Sequence, residues 1–74
     1  MQIKARDGKV YEVSTAPPGG THEVRRDGVV VGTFVLKPRE TDVTVKDKKQ
    51  ADETLLVDIA DRFVDAGGGP MGIT

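Results

Sequence analysis

Hydrophobic and polar residues alternate along the first half of the chain, and the same tripeptide interrupts the alternation twice. Arg-Asp-Gly occurs at positions 6–8 and again at positions 26–28. A period of two is typical of β-strands, and an Asp-Gly pair between strand-like segments favours a hairpin turn. The pattern therefore predicts two antiparallel hairpins, over residues 2–14 and about 22–37.

The register of the first hairpin follows from the pairing that gives one consistent apolar face. A two-residue turn would place Ile3 opposite Glu12, whereas a three-residue turn, with Gly8 in the left-handed conformation, places Ile3 opposite Tyr11. The longer turn keeps the other apolar residues of the hairpin on that same face. We therefore predict a three-residue turn, and the repeated tripeptide predicts the same turn in the second hairpin.

With this register, the second hairpin is apolar on both faces of the sheet. One face carries Val24, Val30, Phe34 and Leu36. An exposed strand of a small domain is expected to alternate, because successive side chains point to opposite faces. The second apolar face is therefore predicted to be covered by another surface. This face consists of Val29, Val31 and Val35, with Val10 of the first hairpin beside them.

The period becomes helical between about residues 48 and 66. Asp47 or Asp52 can cap the helix start, and Gly67 is its expected stop. Residues 41–46 alternate polar and apolar side chains and are the candidate for a short fifth strand. The buried stripe of the helix is expected to consist of Leu55, Leu56, Ile59, Ala60, Phe63 and Ala66.

These elements predict one α+β domain over residues 1–66, followed by a flexible glycine-rich tail at 67–74. The domain combines an antiparallel sheet of four or five strands with one C-terminal amphipathic helix on one face. A chain of 74 residues without cysteine buries only about 60–65% of its unfolded surface, so its core is marginal. Self-association is then the remaining way to add buried surface.

The sequence gives little reason to expect a catalytic site or a metal site. One histidine and no cysteine do not make a conventional zinc site, so we expect His22 on the surface at a strand end. Asp58, Asp61 and Asp65 have the spacing of a solvated helix face. We expect neither an enzyme nor a bound cofactor.

The net charge of −1 hides an uneven distribution of charged residues. Residues 1–50 carry ten Lys and Arg against seven Asp and Glu, whereas residues 51–74 carry one against five. The basic residues around the two turns make nucleic-acid binding the alternative function, although aromatic residues for base stacking are few. That alternative would use Arg6, Lys9, Arg25 and Arg26.

The function we predict is that of a small non-enzymatic interaction protein. It would form a homodimer through the outer valines, by packing of two sheets or by continuing an edge strand across a two-fold axis. An unidentified protein partner could use the same surface. The sequence shows no secretory signal and no membrane-spanning run, so we expect a cytoplasmic protein with no membrane partner.

Overall fold

A five-stranded antiparallel sheet, in which every strand lies beside its neighbour in sequence, carries one helix on one face. The structure, a computed structural model, describes residues 1–17, 19–37 and 40–68. The α+β class with a C-terminal helix is confirmed, and the segment after position 40 is indeed a strand. The elements are β1 Gln2–Lys4, β2 Val10–Val13, β3 Thr21–Arg26, β4 Val29–Leu36, β5 Thr41–Val45 and α1 Glu53–Phe63, in the sheet order β1-β2-β3-β4-β5.

The first hairpin has the predicted register. Ile3 lies opposite Tyr11, and the Ala5 N–H donates to the Lys9 carbonyl across the turn at 2.9 Å. Gly8 has a φ of +81°, a conformation that is accessible to glycine without steric cost. The three-residue turn therefore places the apolar residues of both strands on the side of the helix, which we call the inner face.

The second hairpin uses the same tripeptide in a different turn. Arg26 lies opposite Val29, so the loop contains only Asp27 and Gly28, whose φ angles are +52° and +80°. Two consecutive positive φ angles are typical of the two-residue type I′ turn. The three-residue turn predicted here is therefore wrong, and the strand after it enters the sheet in another register.

A β-bulge in β4 follows from this shorter turn. Arg25 pairs with Val30 and Val24 pairs with Gly32, so Val31 is an extra residue between the two pairs. Its side chain is fully buried in the core, and its carbonyl accepts the N–H groups of the two residues after β5, at 2.9 and 3.0 Å. The placement of Val31 on the outer face is therefore wrong.

The bulge also exchanges the neighbouring valines between the two faces. Val29 lies opposite Arg26, whose guanidinium lies 6.0 Å from the ring centroid of the buried Tyr11. Val29 is therefore on the inner face, beyond the helix, and it is exposed there. Val30 lies opposite Arg25 on the outer face, which reverses the prediction for both residues.

The helix α1 packs across β1, β4 and β5. The predicted stripe is buried except for Ala66, which lies beyond α1 and is exposed. A Cβ atom at Gly32 would lie 2.5 Å from Cδ1 of Leu56, so glycine is required where the helix approaches β4. The buried core consists of Ile3, Ala5, Tyr11, Val13, Val24, Val31, Phe34, Ala51, Leu55, Leu56, Ile59, Ala60 and Phe63.

The helix begins at Glu53, later than the pattern predicts, because the two candidate caps serve two different turns. Asp52 is the N-cap and accepts the Leu55 N–H at 2.8 Å. Asp47 accepts the Lys49 N–H at 3.0 Å and so closes the preceding turn. A π-helical turn, Val64–Gly68, follows α1 and contains Gly67 at a φ of +87°. From residue 69 onward, the predicted tail lies outside the described residues.

Val31→Ala and Val30→Ala form a matched pair that tests the bulge. Removing the buried Val31 side chain leaves a cavity, so we expect it to lower the free energy of unfolding by about 2 kcal/mol. Val30 lies on the outer face, and its truncation should cost less than about 1 kcal/mol. Urea unfolding followed by circular dichroism measures both values. The reverse order would contradict the two-residue turn and restore the three-residue register.

Candidate interaction surfaces

The outer face of the sheet carries valines that polar residues separate from one another. Val10, Val30 and Val35 are its apolar members in the observed register. Thr33 lies between Val30 and Val35 along β4, and the Glu12–Arg25 pair of β2 and β3 lies between Val10 and Val30. Since Val29 and Val31 belong to the inner face, the continuous apolar patch expected from the sequence is not formed.

The four basic residues of the nucleic-acid alternative do not share a face. Arg25 lies on the outer face and forms an ion pair of 2.7 Å with Glu23. Arg26 lies on the inner face over Tyr11. Lys9 is exposed. Arg6 reaches the helix start, where its guanidinium donates to the Thr54 hydroxyl at 2.8 Å and lies 3.8 Å from Asp52.

His22 is buried in the core and not at the surface, where the sequence predicts it. Its side chain is 5% exposed, and Nδ1 lies 2.8 Å from the Ser14 carbonyl oxygen. The imidazole stacks on Phe34 at a centroid distance of 5.0 Å and meets the edge of Phe63 at 4.8 Å. His22 and the buried Val24 are two positions apart in β3, so they lie on the same face of the sheet. This spacing is the feature of the sequence from which the burial of His22 could have been predicted.

Acidic side chains at both ends of the inner face are held in their ionised forms. Partial burial raises the pKa of Asp7, but hydrogen bonds from the Lys9 N–H and the Tyr11 hydroxyl outweigh it and lower the pKa below its ordinary value. Burial, together with the bond to Asp7, raises the pKa of Tyr11. The Leu55 N–H at the helix start lowers the pKa of Asp52.

One edge of the sheet is partly covered by the helix. The pairing of Ile3 with Tyr11 directs the backbone groups of Lys4 and Arg6 away from β2. The Lys4 carbonyl accepts the Arg62 guanidinium at 3.2 Å, and the Arg6 N–H donates to Asp58 at 3.0 Å. Side chains of α1 therefore bind one outward backbone group of β1, the Lys4 carbonyl, and one just beyond it, the Arg6 N–H.

The other edge, along β5, is open. Hydrogen bonds from Lys37 N–H to Glu40 and from Lys46 N–H to the carbonyl of Val31 fix the alternation of bonds along the β4–β5 ladder. The N–H and C=O groups that point away from β4 belong to Thr41, Val43 and Val45, and we call them the free edge. Among the described residues, no hydrogen bond reaches them.

A groove lies beside the free edge, between β5 and the start of α1. Its volume is about 480 Å³. Val43 and Val45 are half-buried and pack against the core from β5, so the groove joins a row of unpaired backbone groups to partly exposed apolar side chains. Its lining is completed by Thr44, Lys48, Ala51, Asp52 and Glu53.

No protein-family model, curated protein or solved structure is detectably similar to this chain. Within residues 1–17, 19–37 and 40–68, no three side chains of the metal-binding types His, Cys, Asp and Glu are grouped as a metal site would require. The described helix is too short to cross a membrane. The evidence for function therefore comes only from the geometry of the surfaces.

Asp7→Asn should make the free energy of unfolding less dependent on pH in the acid range. A lowered pKa means that the ionised carboxylate favours the folded state, so its contribution is present above the unfolded pKa of about 3.9 and is lost as the pH falls through the folded value. We expect the variant to lose less free energy of unfolding between pH 7 and pH 2 than the parent protein.

Urea unfolding at several pH values measures this difference. Asp27→Asn, at the equivalent position of the second turn, is the matched control, because the Asp27 side chain is 90% exposed. An equal flattening by both substitutions would contradict a specific role for the bonds from Lys9 and Tyr11.

Proposed function

We propose that this protein is a non-enzymatic interaction domain that self-associates through the free edge of β5. The observation that carries the proposal is the contrast between the two edges of the sheet. The helix binds two outward groups beside β1 and lies against that edge, whereas the outward groups of Thr41, Val43 and Val45 have no partner among the described residues. An edge of this kind is a template for pairing with another strand.

The groove beside β5 adds specificity to that template. Added strands gain affinity from main-chain hydrogen bonds and gain specificity from pockets that accept alternate side chains. Here the strand edge and a groove of about 480 Å³ lie next to each other. An extended segment that pairs with β5 would place every second side chain beside Val43 and Val45 on the inner face.

The small core supplies a thermodynamic reason for self-association. Within the described residues the fold buries thirteen apolar side chains, and Val43 and Val45 at the margin of this core are only half-buried. A second strand beside β5 would withdraw these valines from water, at about 25 cal/mol for each Å² of apolar surface. Association would therefore extend the core at its β5 margin.

The competing surfaces are less suited to the role. A homodimer through the outer face would use only Val10 and Val35 of the four residues predicted for it. Val29 and Val31 lie on the inner face, and Val30 takes their place on the outer face. Nucleic-acid binding would need Arg25 and Arg26 to act together, although they lie on opposite faces. A cytoplasmic location stays part of the proposal.

Val43→Pro should abolish self-association while the sheet is retained. The Val43 N–H points away from β4, so proline removes a hydrogen bond of the interface and none within the chain, as is tolerated on edge strands. Light scattering after size exclusion should give twice the chain mass of 7.9 kDa for the parent protein at high concentration. The variant should give the mass of a monomer.

Val35→Lys is the control, since it places a charge on the outer face and leaves the β5 edge unchanged. It should remain a dimer, and loss of the dimer in this variant alone would transfer the interface to the outer valines. Thr41→Pro, at the first residue of β5, replaces Val43→Pro if circular dichroism shows that the latter is unfolded. A parent protein that is monomeric at millimolar concentration overturns the proposal.

A further inference from the structure

We infer that the partner of β5 is β5 of a second copy, in an antiparallel register that pairs Val43 with Val43 across a two-fold axis. This inference rests on the proposed function and specifies its geometry. In this register Thr41 lies opposite Val45 of the second copy, and the reverse pair follows from symmetry. The contact is isologous, so the dimer closes and leaves no further β5 edge.

The register satisfies every backbone group of the free edge. Residues that point outward in one copy meet outward residues of the other, so each opposed pair exchanges both of its N–H···O=C bonds. A shift that pairs Val43 with Val45 leaves Thr41 opposite Asp47, whose N–H already donates to Val31. Only the register centred on Val43 uses Thr41, Val43 and Val45 completely.

Charge is compatible with this register and disfavours one of its two neighbours. Continuing the pairing by one step beyond each end of β5 places Lys46 opposite Glu40 of the second copy, twice by symmetry. Both residues are exposed, and opposite charges on directly opposed residues stabilise strand pairs. The opposite shift would instead place Asp42 against Asp42 of the second copy, a like-charge pair, whereas in the inferred register Asp42 faces Thr44.

The inferred geometry keeps the helix of each copy on the inner face. A two-fold axis perpendicular to the sheet keeps both helices on one side of a continuous ten-stranded sheet. The side chains of the two Val43 residues then meet on that side, and Thr41 of each copy lies beside Val45 of the other. The groove lined by Val45 and Ala51 is the space into which the second β5 projects.

Disulfide trapping tests this register directly, because the chain contains no cysteine. Val43→Cys should form a covalent dimer under mild oxidation, since Cα atoms of a hydrogen-bonded antiparallel pair lie about 5.5 Å apart, within the range that disulfides span. Thr44→Cys is the matched control on the neighbouring residue. We expect at least a tenfold faster cross-linking of the Val43 variant.

Charge reversal supplies a second, non-covalent test. Glu40→Lys places lysine opposite Lys46 at both ends of the interface, and we expect the dimer dissociation constant to rise about tenfold. Lys46→Glu should weaken its own dimer in the same way. An equimolar mixture of the two variants restores opposite charges at every contact, so a heterodimer of parental affinity should form in sedimentation or light scattering.

The outcomes separate this inference from the proposed function. Faster cross-linking of Thr44→Cys, or no effect of Glu40→Lys on a dimer that Val43→Pro still abolishes, would overturn the register and leave edge association standing. A parent protein that stays monomeric, with Val43→Cys cross-linking no faster than the control, would overturn both. Faster cross-linking of Val43→Cys together with rescue in the mixture supports both.

Discussion

The extra residue in β4 determines which side chains of this protein lie between the sheet and the helix. Without the bulge, a β4 that kept Phe34 toward α1 would alternate regularly and place Val31 on the outer face. With it, Val31 and Gly32 lie on the inner face together, one filling the core and the other allowing Leu56 to approach. The Val31 carbonyl also binds the chain where β5 ends, so the path toward the helix depends on the same residue.

The first hairpin and the helical stripe could be predicted because each has only one consistent apolar face. The register of the second hairpin could not be predicted in this way. Apolar residues occupy both odd and even positions of β4, so either register buries a set of valines. Both registers place Gly32 and Phe34 on the inner face, and the length of the turn decides on which faces Val29, Val30 and Val31 lie. Gly32 within the strand was the available local signal, because a glycine in a strand interior often marks a bulge. The burial of His22 did not depend on this choice, since His22 shares the face of Val24 in either register.

The surface at β5 was harder to foresee than the fold. Residues 41–46 have a short alternating pattern, and a pattern of this kind does not show whether a strand is central or at an edge. The difference between the two edges depends on Asp58 and Arg62, which the sequence assigns only to the polar side of the helix. Their hydrogen bonds to the main chain near β1 require a three-dimensional arrangement that no periodicity encodes.

The strictly sequential order of the sheet has a consequence for the way in which this chain assembles. Every strand pairs with the next one in sequence, so the whole sheet can form by closing short loops, which is rapid. The contacts of Arg6 with Asp58 and of Lys4 with Arg62, in contrast, span 52 and 58 residues and close far longer loops. We therefore regard the docking of the helix on the first strand as the late step of folding, and as the first contact to open when the native protein fluctuates.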